Sequence, residues 1–341
     1  MKYHLTEELS TPMTAASKAR EDCVRILNYL GLEPINIPYF KGDKSGVLVR
    51  VVRQAVYIKA YLALLIKVKR GDTLVLQHPF KQNAWLRHFA VRTLYKRKVR
   101  IIRIIHDLDS LRQGFTALHL RRDDDELALY SSRIICHNTT MLEHLVSMGV
   151  RRDKLISLEL FDYLTEHSPK SRGDKNEIII AGNLDKTKSG YIYSLPASPL
   201  KFRLYGVNYS GAENAEYVGA YPADELPLYL SGGFGLVWDG DSPLTCSSDT
   251  GNYLKFNNPH KLSLYLACGL PVVVWSQSAT ANTVKKYGLG LCVDSLADLY
   301  DRISSITNEE YLQMVDNAEK LSAKLKTGEF MKEALIKALG E

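Results

Sequence analysis

Apolar and polar positions along this chain switch between two periods, and the switches mark a repeating order of strands and helices. Short β-rich runs at Lys2–Leu5, Glu33–Ile37, Thr73–Gln77, Val99–Ile105 and Ser132–Cys136 read as strands. Helical spacing is clearest from Gly46 to Arg70, where Val52, Val56, Tyr57, Ala60 and Leu64 share a face. Further helices are predicted up to about Leu30, over Asn83–Lys96, and from a capping box at Thr140-x-x-Glu143 to Met148-Gly149. Charged, mixed sequence from Ser157 to Lys175 breaks the pattern and suits a linker. Alternation then restarts. Strands are predicted at Glu177–Ala181, Phe202–Tyr205, Gly235–Trp238, Pro271–Trp275 and Leu289–Val293, and helices at Asn258–Cys268, Leu296–Ile306 and over most of Glu309–Leu339. Strands alternating with long helices predict an α/β protein of two Rossmann-like parallel-sheet domains, with helices on both faces of each sheet.

In such sheets ligands bind beyond the carboxyl ends of the strands. Those ends read Gln77-His78-Pro79, His106-Asp107 and His137-Asn138 in the first half, and Gly182-Asn183, Tyr205-Gly206, Trp238-Asp239 and Trp275-Ser276 in the second. The best-marked element follows Tyr253. Asn258 suits an N-cap, Pro259 the first helical position, and Cys268-Gly269 with Pro271 the stop. His260 and Lys261 then fall in the first helical turn, where a cation is unfavourable by roughly 0.3–1 kcal/mol. A bound anion reverses that sign, because a helix N-terminus with a lysine forms a phosphate site; a lysine turned into water is the plain alternative. Gly182-Asn183-Leu184-Asp185-Lys186 has the same two readings, a backbone open to a ligand with Lys186 reaching a phosphate, or an ordinary turn. Two cations from separate loops suit a diphosphate. His106-Asp107 suits acid–base work or a bond to a sugar hydroxyl, against a structural histidine. Asp107-Leu108-Asp109 and Asp239-Gly240-Asp241 both spell DxD, which can hold Mg²⁺ or Mn²⁺ through a diphosphate, though so short an acidic pattern is common. Ser231-Gly232-Gly233-Phe234-Gly235 precedes a strand instead of opening a helix, so it is no dinucleotide loop, and no GxxxxGK[ST] occurs.

Composition narrows the class. The 341 residues, 45% hydrophobic and 24% charged, suit two soluble domains, and no apolar run reaches the roughly 20 residues that span a bilayer. Five scattered cysteines without CxxC spacing, and an amino terminus unlike a secretory signal, lead to the expectation of a cytoplasmic protein with reduced thiols. The net charge of +6 is uneven. Between Arg50 and Arg103 fourteen Lys/Arg face one acid, Asp72, so this segment carries +13 and the remainder −7. Arg87, Arg92, Lys96, Arg97 and Lys98 flank Trp85, Phe89 and Tyr95, the combination of a peripheral contact with an anionic membrane. A solvated helix face is the alternative, and nucleic acid is a rival without an accompanying motif.

The runs SGGFGLVWDGD, NNPHKLSLYLACGLPVVV and AxxVKKYGLG resemble bacterial glycosyltransferases of the GT-B type, in particular the galactofuranosyltransferase-like group that builds surface polysaccharides. That group is similar in turn to the streptococcal glucosyltransferases that extend the glycan of serine-rich adhesins. The resemblance covers about Glu177–Val293 strongly and continues more weakly through GDTLVLQHP and RIIHDLDSL. It implies two domains facing a cleft: an acceptor-side domain over 1–165, a linker at 166–176, a nucleotide-sugar domain over 177–325, and a terminal helix over 326–341 crossing back. It further implies a UDP-sugar donor, a glycan or lipid-linked glycan acceptor, no metal cofactor, and a homo-oligomer as one possible assembly. Gly182, Asn183, Lys186 and Lys261, with the helix start at Asn258, take the place of the diphosphate site. Tyr221 falls near the nucleoside, Tyr205 stands at the neighbouring strand end, and His106 with Asp107 faces the transferred sugar, Asp239 being a further candidate base. The two glutamates of the large retaining GT-B family are matched by Phe256 and Leu264, so their roles are not carried over.

Overall fold

A computed structural model describes residues 1–7, 15–38, 46–80, 82–112, 118–169 and 173–340. Its first sheet takes β1 (Lys2–Glu7), β2 (Glu33–Ile37), β3 (Thr73–His78), β4 (Arg100–Ile105), β5 (Arg133–Cys136) and β6 (Leu155–Ser157) in the order β2-β1-β3-β4-β5-β6. The second takes β7 (Glu177–Asn183), β8 (Lys201–Val207), β9 (Glu216–Gly219), β10 (Phe234–Val237), β11 (Val272–Trp275) and β12 (Gly290–Val293) in the order β12-β11-β10-β7-β8-β9. Every pairing is parallel. The central strands β3, β10 and β11 are buried along their whole length, as expected of runs such as Val272-Val273-Val274-Trp275 that alternate no polar face. Eight helices reach eight residues among those described: α1 (Ala15–Tyr29), α2 (Val47–Lys67), α3 (Ala84–Lys96), α4 (Leu118–Leu129), α5 (Thr139–Ser147), α6 (His260–Ala267), α7 (Asn308–Thr327) and α8 (Glu329–Leu339).

The domains are joined twice. After β6 the chain crosses between the cores: Leu158 and Phe161 pack with the first domain, Leu160 and Tyr163 with the second. It crosses back at Gly328, and α8 packs Met331, Leu335 and Leu339 against Cys23, Ile26 and Leu27 of α1. Asp162, in the first crossing, accepts from the backbone N–H groups of Phe330 (3.2 Å) and Met331 (2.7 Å), so it caps the helix that makes the second. Arg100 donates to the terminal carbonyls of α8, Ala338 at 2.7 Å and Leu339 at 2.6 Å. Part of the stretch expected as linker, from Ser157 to Leu164, is thus interdomain core.

Two short strands, β6 and β9, were not legible in the periodicity, because three or four residues hold too few alternations. The capping box at Thr140 is also corrected. Asn138 is the cap of α5, its side chain accepting from Met141 N–H at 2.9 Å.

Candidate functional site

Between the two sheets lies a cavity of about 400 Å³. It collects the carboxyl ends of β4, β7, β8 and β10 and the start of α6. Of the residues singled out in the sequence, His106, Asp107, Gly182, Asn183, Tyr205, Tyr221, Asp239, Asn258 and Lys261 all line it.

The second-domain wall is built around α6. Gly235 lets α6 approach β10: a Cβ there would stand 2.2 Å from the Tyr265 ring. Tyr265 Oη in turn accepts from Ala181 N–H at 2.7 Å, fixing the helix to β7. One turn earlier on the same face, Lys261 Nζ donates to Trp238 O (2.7 Å) and Asp239 Oδ1 (2.8 Å) at the end of β10. The lysine therefore stands at the helix start, held by a partner, with donor capacity left for an anion. Gly182 has φ +137° with open space where a Cβ would stand, so bare backbone ends β7 at the cavity. Asn183 Oδ1 accepts from Asp185 N–H (3.1 Å) and Asn208 Nδ2 (2.9 Å), closing that turn. Tyr205 Oη accepts from Ser231 N–H at 3.3 Å, and Tyr221 stacks on Tyr229 with centroids 3.9 Å apart.

The first-domain wall carries His106 and Asp107. Gln77 Nε2 donates to Arg20 O at 3.4 Å, which turns Gln77 Oε1 toward His106 Nε2 at 2.7 Å. That bond assigns the ring proton to Nε2 and leaves Nδ1 an acceptor, buried and without a partner among the described residues. Burial, followed by the positive field of Arg20, holds the His106 pKa well below the ordinary histidine value, so the ring is neutral at pH 7. Its face stacks on Phe161, 5.6 Å away. Desolvation raises the Asp107 pKa, against the lowering effect of Arg112, whose Nη1 is 3.3 Å from Asp107 Oδ2. The next residue, Leu108, donates its N–H to Tyr253 Oη of the second domain at 2.9 Å, tying this loop across the cavity.

Three expectations change. Lys186 does not line the cavity; its Nζ sits 5.0 Å from the Tyr193 ring centroid, and Lys188, two residues on, faces the cleft instead. Asn258 is not the cap of α6, which starts at His260 with Pro259 as N-cap. Its side chain is spent across the domain boundary, with Nδ2 donating to His137 O (2.6 Å) and Glu159 O (2.9 Å) and Oδ1 accepting from Asn138 (2.7 Å). His260 is no cation, since burial pushes its pKa down to about 3 and its two buried ring nitrogens sit near Phe161 and Tyr163. Asp239 Oδ1 meets Lys261 Nζ at 2.8 Å and so holds that lysine in place at the cavity wall. Both acids of the first DxD are drawn into ion pairs, Arg112 meeting Asp107 at 3.3 Å and Asp109 at 3.8 Å, and among the described residues no group of three His, Cys, Asp or Glu suits a metal. Sequence reasoning missed Arg20, Arg112, Lys188 and Tyr253. Arg112 alone carried a signal, lying within a turn of the DxD.

Two parallel α/β domains facing such a cleft are the fold of the GT-B glycosyltransferases. Among solved structures, the Anabaena protein HepE in complex with UDP shares this fold at TM-score 0.65 and 11% identity over 100% of both chains. Sucrose-phosphate synthase from Thermosynechococcus elongatus does so at 0.62 and 12%, over 99% and 98%. The family is decided by sequence. The model of the glucosyltransferase 3-like N-terminal domain matches residues 2–160 and that of its C-terminal domain residues 178–338, so the chain belongs to the glucosyltransferase 3-like family. It is 33% identical to the β-1,6-galactofuranosyltransferase WbbI of Escherichia coli K12 over 99% of this chain and 98% of the relative. It is 29% identical to glucosyltransferase 3 of Streptococcus gordonii over 100% and 99%. The chain is a glycosyltransferase.

Proposed function

We propose that the protein transfers a hexose, galactofuranose before any other, from a UDP-sugar to a hydroxyl of a glycan or lipid-linked glycan. The observation that carries this reading is Lys261, fixed by Asp239 and Trp238 O at the start of α6 and opposite the His106–Asp107 loop. In the reaction the acceptor oxygen bonds to the anomeric carbon as the bond from that carbon to the diphosphate breaks. Charge then grows on the diphosphate, where Lys261, the first N–H groups of α6 and Lys188 neutralise it. Asp107, its proton affinity raised by burial, takes the acceptor proton. His106 Nδ1 accepts from a hydroxyl of the transferred sugar. With protein cations at the diphosphate, no divalent metal is needed. Galactofuranose is favoured by the 33% identity to WbbI, and UDP-glucose is the second reading because the family model and the Streptococcus gordonii relative carry that activity in their names.

Screening UDP-sugars, UDP-galactofuranose and UDP-glucose included, for thermal stabilisation and slow hydrolysis tests this. The expected result is hydrolysis of UDP-galactofuranose, undiminished by EDTA. Preference for UDP-glucose installs the second reading, hydrolysis of no UDP-sugar refutes the first, and loss on chelation restores a metal role to the DxD pairs.

A further inference from the structure

Helices α2 and α3 carry a surface that neither the cores nor the cleft use. Half of the large apolar side chains exposed among the described residues lie on these two helices. Val47 and Leu48 are 76% exposed, Ile66 and Trp85 75%. The run Val47–Val52 is exposed at every position, which a helix packed by one stripe would not allow. Soluble surfaces rarely gather so much apolar area unless it meets something. The two helices form one face: Asn83 Nδ2 donates to Gln54 Oε1 at 2.7 Å and Arg97 Nη1 to Leu65 O at 2.8 Å. Trp85 and Phe89 stack on its outer side, centroids 6.4 Å apart.

Every charge within the two helices is positive, and at their edge Glu33 pairs with Lys67 at 2.5 Å. From Val47 to Lys98 the only acid is Asp72, and that carboxylate is held by the amino group of Met1 at 2.6 Å. Exposed Lys59, Arg92 and Lys96 have no acid beside them in either helix. Topology also places the face. The chain enters α2 after the carboxyl end of β2 and α3 after that of β3, so both helices start on the rim where His106 and Asp107 follow β4.

We propose that this face docks on an anionic lipid bilayer. The first turns of α2 and the Trp85–Phe89 pair enter the boundary between headgroups and acyl chains, and the lysines and arginines meet lipid phosphates. A second copy of the chain fits worse, since a twofold contact through this face would set basic residues against basic residues with no acid to pair them. Docking holds the rim of the cleft at the membrane, where a lipid-linked acceptor would be presented. That consequence rests on the acceptor class proposed above; the docking does not.

Trp85 supplies the probe, because Trp238 and Trp275 are 0% and 2% exposed. The full chain is mixed at physiological salt with vesicles of phosphatidylcholine alone or with phosphatidylglycerol, and followed by sedimentation and tryptophan emission. Expected are co-sedimentation and a blue shift with the anionic vesicles only, the shift being lost in Trp85→Phe. Leu48→Glu/Val52→Glu should weaken partitioning by about tenfold or more, with melting temperature and UDP-sugar hydrolysis unchanged. Failure to bind anionic vesicles, or equal binding to both kinds, overturns the proposal. So does a solution dimer that Leu48→Glu/Val52→Glu dissociates, which would give the face to a second copy. Vesicle binding is read without a donor sugar, so its failure leaves the proposed reaction standing.

Discussion

Lys261 shows what one side chain needs before it can act on a phosphate. A lysine at a helix start is unfavourable alone, and here Asp239 and a backbone carbonyl hold it in that place. Lys261→Ala should lower turnover by about 10²–10³-fold, the usual cost of losing a group that stabilises developing charge, with the fold intact by circular dichroism. Asp239→Asn is expected to keep the carbonyl contact but loosen the lysine, lowering kcat/KM by about tenfold, with no shift of the acidic limb of the pH–rate profile. A catalytic base at Asp239 would abolish activity instead. Lys186→Ala, beside Tyr193 and outside the cavity lining, should leave kcat within about twofold, whereas Lys188→Ala should raise KM for the donor.

At the scale of elements, the position of α6 decides the site, and one small residue, Gly235, sets it. Gly235→Ala would force the Tyr265 ring off β10, an overpacking that costs about 1–3 kcal/mol and carries Lys261 with it. Thermal unfolding should show the loss, and donor stabilisation should fall in parallel; loss of stability with donor affinity unchanged would show that the helix start is placed by other contacts. Asn258 was legible as a helix cap because Asn before Pro, ahead of an apolar run, is what a cap looks like. The real cap position is Pro259, and the asparagine bonds to His137, Asn138 and Glu159, residues far away in the chain. Asn138 looks like a mere strand end for the same reason, yet it both caps α5 and reaches Phe256 O and Asn258 Oδ1. Local pattern reports a side chain's local use, and these side chains are used elsewhere.

At the scale of the molecule, the two crossings make one cooperative unit of two domains, and an acid sits where they meet. Burial pushes the Asp162 carboxyl up to about 7, although it caps α8, and its neighbour Asp22 to about 6. The folded state thus favours the neutral acid. Its contribution to stability is full below the ordinary carboxylate range and is lost as pH rises through about 7. The melting temperature of the wild type, measured against Asp162→Asn, should therefore fall between about pH 4 and pH 7 and then level off. A flat difference across that range would mean that the carboxylate stays charged in the fold. Since Leu160 and Tyr163 belong to one core and Leu158 and Phe161 to the other, calorimetry is expected to give a single transition.

Local order in the chain determined the class of architecture: strand and helix periods alternate, and parallel sheets with ligand sites at their carboxyl ends follow from chain geometry alone. It also determined which loops meet, so that His106, Asp107, Gly182, Asp239 and Lys261 stand out as cavity residues in the sequence itself. Tertiary structure decided what each of them does. Whether Lys186 or Lys188 faces the cleft depends on the turn that β7 makes, whether His260 carries a charge depends on Phe161 and Tyr163 closing over it, and whether Asp239 is a base depends on Lys261 reaching back to it. Charge state, desolvation and partner choice are set by atoms distant in sequence and close in space.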